Sequence, residues 1–341
     1  MLENTSKYLK KLMEIPSPVG YTDDVIKYID EELRTLGYNM TYTNKGALIL
    51  RIEGKNTENV KLITAHVDTL GAVVKEIKSN GRLKLTNAGG FAWGVFEGEN
   101  ALVHTMSGET IEGTFLPIKA SVHIYGDELR NEVRNADNME IRLDENTSSK
   151  SETKDLGISV GDIVSFEPRL RFTNNGYIKS RYLDDKVCVA AMMSVIKYIK
   201  EESIELSYTT DFYFSNFEEI NHGVSVIDEK TDEMIALDIG IVGPNQESSE
   251  YAVSILAKDF ATPYTYELRK RLNHLADSNN IPFVNDVFLH YGSDASCSIR
   301  QGVDVRFACI GLGVDSTHHY ERCHIKGLQA NIDLLLAYLT N

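Results

Sequence analysis

The chain has 341 residues, of which 42% are hydrophobic and 25% charged, with 24 glycines and 7 prolines; this globular composition excludes a disordered, collagen-like or low-complexity protein. Its 35 Lys and Arg against 50 Asp and Glu give a formal charge of −15, which repels a phosphate backbone or an anionic membrane surface, so neither nucleic acid nor a membrane is an expected partner. At roughly 150 residues per domain, the length allows two domains or one domain with a large insertion.

Cys188, Cys297, Cys309 and Cys323 form no C-x-x-C pair, so neither a thiolate zinc site nor a disulfide framework is indicated, and a cytoplasmic location is expected. The start, Met1-Leu2-Glu3-Asn4-Thr5-Ser6-Lys7, lacks a basic region ahead of an apolar core. No run approaches the ~18 apolar residues of a membrane span.

Tyr8, Leu9, Leu12 and Met13 recur at helical spacing before the Pro16-Ser17-Pro18 break. A second helix is predicted from Thr22-Asp23-Asp24, with Val25, Ile26, Ile29, Leu33 and Leu36 as its buried stripe and Gly37 as its stop. Strand-like runs follow at 46–52 and 60–65, the second leading into His66-Val67-Asp68. Residues 71–175 are short β-branched or aromatic segments punctuated by glycine, which predicts an inserted, barrel-like β domain, with the polar stretch 145–154 as a loop tip or linker.

Helical periodicity returns after Tyr182-Leu183-Asp184-Asp185, through Val187, Ala190, Ala191, Met193, Val195, Ile196 and Ile199. A strand-like run at 206–217 ends in Glu218-Glu219, and another at 234–237 stops at Asp238. A helix is predicted at 264–278, a strand at 303–310 and a closing helix at 327–338. Gly311-x-Gly313 lacks the third glycine of a phosphate loop and reads as a tight turn. The alternation on both sides of the insertion predicts an α/β domain from 1–70 and 176–341, with a mixed, largely parallel sheet covered by helices on both faces.

Open α/β sheets bind ligands at the carboxyl ends of their strands. The polar residues that stop apolar runs are therefore the candidates: His66 and Asp68, Glu218 and Glu219, Asp238, and His318-His319, with Asp184-Asp185 as a further acidic pair. Imidazoles and carboxylates without nearby thiolates suit Zn²⁺, Co²⁺ or Mn²⁺. Two such ions about 3.5–4 Å apart need three ligating carboxylates, two histidines and a spare carboxylate to move protons, and the sequence supplies that inventory. Each motif alone also has a plain structural reading, since acidic doublets are usually solvated surface. Glu218-Glu219, however, directly follows Phe212-Tyr213-Phe214-Ser215-Asn216-Phe217, where a buried strand would carry both acids inward and a metal would offset their desolvation. The remaining histidines, His104, His123, His222, His274, His290 and His324, have no matching partners in sequence, and Cys188 reads as a small hydrophobe in a helical stripe.

Five stretches, Thr64-Ala65-His66-Val67-Asp68-Thr69-Leu70-Gly71, Leu183-Asp184-Asp185-Lys186, Phe217-Glu218-Glu219-Ile220-Asn221-His222-Gly223, Ala236-Leu237-Asp238-Ile239-Gly240 and Tyr291-Gly292-Ser293-Asp294-Ala295, resemble in motif and order the M42 family of dinuclear metallo-aminopeptidases. The resemblance implies a zinc-peptidase-like fold and removal of the N-terminal residue from short peptides. It implies one ion on His66, Asp184 and Asp238, another on Asp184, Glu219 and His318, and Glu218 as general base. Asp68 would orient His66 through its second ring nitrogen, and Gly292, Ser293 and Asp294 would line the substrate pocket. It further implies a homo-oligomer, with the β domain pairing subunits into dimers that assemble into a dodecamer.

Three departures stand out. Lys186 replaces a frequent Arg; Asp315-Ser316-Thr317-His318-His319-Tyr320 replaces a segment such as R-Y-I-H-S, leaving His319 as an alternative ligand; and Tyr-Gly-Ser-Asp replaces G-G-T-D. Competing readings are an amidase or deacylase acting on N-acylated amino acids through the same site, a glycosidase whose paired carboxylates need no metal, and a non-catalytic assembly protein of the same fold.

Overall fold

The apolar stripes of the first two helices face inward: Leu9, Leu12 and Met13 are buried on Leu2–Glu14, and Val25, Ile26, Ile29 and Leu33 on Asp23–Thr35. Gly37, at φ +82°, follows the second helix and supplies the left-handed step that stops it. The computed structural model describes residues 1–341, which divide into two units, Met1–Asp68 with Arg169–Asn341, and Thr69–Pro168.

The larger unit is built on an 11-stranded mixed sheet. Its centre is parallel, with Leu206–Ser215, Gly54–His66, Thr231–Val242 and Arg306–Asp315 side by side. Antiparallel strands extend both edges: Leu48–Ile52 with Met40–Tyr42 on one, and Glu321–His324, Tyr177–Ser180 and Arg171–Phe172 on the other. Val253–Lys258 and Phe283–Val287, parallel to each other, branch from Arg306–Asp315.

Central parallel strands need cover on both faces. On one face Leu62, Met234, Ala236, Phe307 and Cys309 cluster with Ala295 of the helix Asp294–Arg300. The helix Leu183–Glu201, buried continuously from Leu183 to Ile196, packs on Gly54–His66 and Thr231–Val242 and is itself packed by Leu2–Glu14. Burial all round explains why this helix is apolar on every side. Tyr266–Ser278 and the closing helix Ile325–Leu339 complete the layer. No helix is long and apolar enough to cross a membrane.

Two local expectations are corrected. The strand through Asp238 does not stop there but runs on to Val242, paired residue for residue with Arg306–Asp315. Gly311 and Gly313 lie inside that partner strand and form no tight turn. A Cβ on Gly311 would sit 2.0 Å from the Asp238 carbonyl oxygen, and one on Gly313 would sit 2.1 Å from that of Ser249, so glycine here permits close backbone approach.

The second unit is a closed six-stranded antiparallel barrel, in the order Gly71–Ile77, Leu83–Ala88, Met139–Leu143, Thr110–Pro117, Asn100–His104, Ile163–Phe166. Phe96 stacks on Phe166 at 4.1 Å between ring centres, and Phe115 meets Phe166 edge-on at 5.4 Å. In the polar stretch, Ser149 caps the short helix Lys150–Asp155 by accepting the Glu152 N–H.

Candidate metal centre

His66 is the last residue of Gly54–His66 and is buried. Its backbone N–H donates to Asp185 Oδ2 at 3.1 Å, and its Nδ1 lies 2.9 Å from the Asp68 main-chain oxygen. A carbonyl only accepts, so Nδ1 carries the proton and Nε2 is the atom left to face the acids. Nε2 lies 3.2 Å from Asp184 Oδ1 and 3.7 Å from Glu218 Oε2.

Asp184 opens the helix Leu183–Glu201, where its backbone is still extended. Its two carboxylate oxygens face different histidines: Oδ1 faces His66, and Oδ2 lies 3.3 Å from His318 Nε2. His318 Nε2 is also 3.7 Å from Glu219 Oε2. Asp238 approaches from the middle of its strand, and ligand atoms of His66, Asp184 and Asp238 all lie within 4.8 Å of one another. All five residues singled out as metal ligands thus converge. His319 is exposed, and its Nδ1 accepts the Tyr320 N–H within its own loop.

Glu218 and Glu219 sit differently from the sequence expectation. The strand ends at Ser215, and a short 3-10 turn, Glu218–Ile220, carries both acids, flanked by Phe217 and Asn221 at φ +66° and +64°. Both acids still turn inward, their side chains 12% and 4% exposed. The fully buried Asp68 carboxylate holds this turn, with Oδ1 accepting the Glu218 N–H and Oδ2 the Glu219 N–H, each at 3.1 Å. Asp68 therefore contacts His66 Nδ1 chiefly through its carbonyl, while its carboxylate, at 3.6 Å from Nδ1, fixes the acidic pair.

Of the three suspected pocket residues, two are engaged inside the protein. Ser293 caps Asp294–Arg300 and meets the Tyr264 hydroxyl at 2.8 Å. Asp294 accepts the Thr64 hydroxyl at 2.7 Å, the Ser215 hydroxyl, and the Val224 N–H at 3.2 Å. Gly292 stays beside the acidic turn, where an added Cβ would meet Asn221 Oδ1 at 3.7 Å. The preceding Tyr291 brings its hydroxyl beside Asp238 and Cys309. Sequence reasoning missed Thr317 and Glu321. The Thr317 hydroxyl lies 3.2 Å from Asp184 Oδ2 and 2.9 Å from Glu321 Oε1, and Glu321 Oε2 accepts the Asp184 N–H at 3.1 Å.

The cluster holds more negative charge than the chain balances. Burial, reinforced by neighbouring carboxylates, pushes Asp185, Glu218 and Asp238 well above the ordinary carboxylate range. Burial also carries Glu219 up to about 7 and Glu321 up to about 8. Burial works against Asp184 too, but hydrogen bonds from His318 and His66 outweigh it and hold this acid well below its usual value. His66 is pulled down by burial, yet Asp184, Glu218 and Asp68 raise it well above an ordinary imidazole. The nearest ammonium in sequence, Lys186, points elsewhere, to the carbonyls of Leu12 and Ile15 at 2.8 and 2.7 Å. Asp185 Oδ1 and Glu219 Oε1 are buried without a hydrogen-bond partner. A set of imidazole and carboxylate donors that otherwise takes up protons fits divalent cations.

Residues 46–334 match the sequence pattern of the M42 glutamyl aminopeptidase family. YhfE of Bacillus subtilis (strain 168) is 45% identical over 339 residues, covering 99% of this chain and 98% of that one. The chain belongs to the M42 family. It is thus a hydrolase of the peptidase class. The lysyl aminopeptidase of Pyrococcus furiosus is a more distant relative, 23% identical over 203 residues, 58% of this chain and 56% of its own. Among solved structures, the TET aminopeptidase of the marine sediment archaeon Thaumarchaeota archaeon SCGC AB-539-E09 shares the fold at a TM-score of 0.89 and 20% identity, covering 99% of this chain and 97% of that one. The TET1 peptidase of Pyrococcus horikoshii, which can assemble into a tetrahedron or a large octahedral shell, does so at 0.84 and 22%, covering 99% of each chain.

Proposed function

We propose that the protein is a cytoplasmic two-metal aminopeptidase that removes the N-terminal residue from short peptides. The observation that carries this reading is the Asp184 carboxylate, faced by His66 Nε2 at 3.2 Å on one oxygen and by His318 Nε2 at 3.3 Å on the other. A carboxylate so placed would be suited to contact two cations, one through each oxygen. His66, Asp184 and Asp238 would hold one ion, and Asp184, Glu219 and His318 the other. Bound there, Zn²⁺, Co²⁺ or Mn²⁺ supplies Lewis acidity that polarises the scissile carbonyl and acidifies the attacking water.

Glu218 lies outside both ligand sets yet brings its carboxylate to 3.7 Å from His66 Nε2, and its turn is fixed by Asp68. It takes a proton from the water as that water adds to the first peptide carbonyl, and delivers it to the leaving amine. The free α-amine, a cation, is drawn to the acid surplus, which restricts cleavage to the chain terminus. The barrel Thr69–Pro168 is assigned to subunit pairing in a homo-oligomer, a reading supported by the shells of the Pyrococcus horikoshii relative.

Purified protein is tested on aminoacyl-coumarins and their N-acetylated counterparts, before and after chelation. Cleavage of the free-amine substrates alone, lost on chelation and restored by Zn²⁺, Co²⁺ or Mn²⁺, is expected. Coumarin release from the N-acetyl substrates would instead make the protein an amidase that needs no free amine, loss of their acetyl group would make it a deacylase, and turnover that survives chelation would remove the metals from the reaction.

A further inference from the structure

Glu321 is a buried acid outside both ligand sets. It opens the edge strand Glu321–His324 and is only 2% exposed. One oxygen accepts the backbone N–H of Asp184, 137 positions away in sequence, and the other accepts the hydroxyl of Thr317, the residue immediately before His318. With both oxygens engaged by donors of the protein, Glu321 is poorly placed to bind a cation itself. The Thr317 hydroxyl, 2.9 Å from Glu321 and 3.2 Å from Asp184 Oδ2, places its single hydrogen between two carboxylates. One side chain thus joins the segment carrying the bridging acid to the loop carrying the last histidine.

We propose that Glu321 is a positioning residue for the second cation, fixing Asp184 and His318 at the separation that ion requires. This rests on the two-ion reading above. His318 needs such a brace more than His66 does: its side chain is 36% exposed against 2% for His66, and it follows the loop residues Ser316 and Thr317, not a strand end. The ion held by His66, Asp184 and Asp238 depends less on Glu321, because His66 is fixed by Asp68 and Asp185, and Asp238 by its place in a central strand.

The test is Zn²⁺ binding, read as ions per chain by elemental analysis over a series of buffered free Zn²⁺ concentrations, with urea midpoints to follow folding. Wild type is expected to hold two ions. Glu321→Ala is expected to weaken one of them by about 10–100-fold, the range typical of residues that orient ligands, and His318→Ala should lose the same ion. The double variant should be no weaker for that ion than His318→Ala alone. Glu321→Gln keeps an oxygen for the Asp184 N–H and is expected to recover most of the affinity. Thr317→Val removes one hydroxyl, leaves the buried acid in place, and should weaken the same ion by a smaller factor. A folded Glu321→Ala that binds two ions as tightly as wild type would overturn the proposal while leaving the two-ion reading intact. Wild type that takes up only one ion would overturn both.

Discussion

Removing metal is expected to reverse the pH dependence of stability between pH 5 and 7. In the metal-free protein Glu219 is raised from 4.5 to about 7, so across that interval it is protonated when folded and ionised when unfolded. The folded state binds the extra proton, and stability falls as pH rises. At up to 1.36 kcal/mol per pH unit, tapering as the folded carboxyl titrates near pH 7, this residue alone accounts for about 2 kcal/mol. Glu218, Asp238 and Asp185 are raised as well and act with the same sign. So does His66, whose contribution is complete below its unfolded value of 6.5 and lost as pH climbs through its raised folded value. Asp184, held low, loses its contribution only below about pH 4, outside the window. With metal the sign inverts, because ligands bind ions only when deprotonated and ion binding strengthens with pH. Urea unfolding at pH 5, 6 and 7, with chelator or at fixed free Zn²⁺, reads both slopes. Calorimetric Zn²⁺ titration at pH 6 in two buffers of different ionisation enthalpy should show about one proton or more released per chain. Chelated protein that gains stability from pH 5 to 7, or Zn²⁺ uptake without proton release, would refute the account of the acid cluster.

Glu218→Gln should retain both ions by elemental analysis while coumarin release falls by about 10²–10⁴-fold, the usual contribution of a positioned acid–base group. Gly311→Ala drives a methyl to within 2.0 Å of the Asp238 carbonyl oxygen and should destabilise by about 3 kcal/mol in urea, because neither strand of the central pair can retreat. Lys186→Met strands the carbonyl of Ile15, which accepts from its ammonium, whereas the carbonyl of Leu12 keeps the Ile15 N–H at 3.3 Å. At about 1–3 kcal/mol for a buried group left unsatisfied, a loss of that size is expected, with Lys186→Arg milder.

The candidate site was legible in sequence where an acid or imidazole interrupts an apolar run. His66 ends a run of buried β residues, and Glu218-Glu219 follows the most aromatic stretch of the chain; both placements signal side chains held near the core end of a strand. Asp238 is marked by the same signal, but its strand continues: pairing with Gly54–His66 ends at Ala236, while pairing with Arg306–Asp315 runs on to Val242, with Gly311 opposite Asp238 permitting the close approach. The turn at Glu218–Ile220 was not legible, since it depends on Asp68 accepting two amides 150 and 151 positions away. Glu321 gave no signal for the same reason. Neither periodicity nor composition records a carboxylate whose partners are backbone N–H groups of a distant segment. Val253–Lys258 and Phe283–Val287 also escaped, being short strands that pair with each other, only the first of them also pairing with Arg306–Asp315.

Asp68 and Glu321 show one device used twice. Each is a buried carboxylate that binds no ion in the proposed scheme, and each accepts backbone N–H groups from a segment carrying ligands: Asp68 from the Glu218-Glu219 turn, Glu321 from Asp184. Charged acceptors make these bonds stronger than neutral ones would be, so the ligand segments are tied where loops would otherwise drift. The same choice adds negative charge to a site already rich in it. Preorganisation and the need for cations are therefore coupled: bracing the ligands with anions deepens the acid surplus, and only positive charge arriving in the cleft, as protons or as metal ions, lets all of these carboxylates stay buried together.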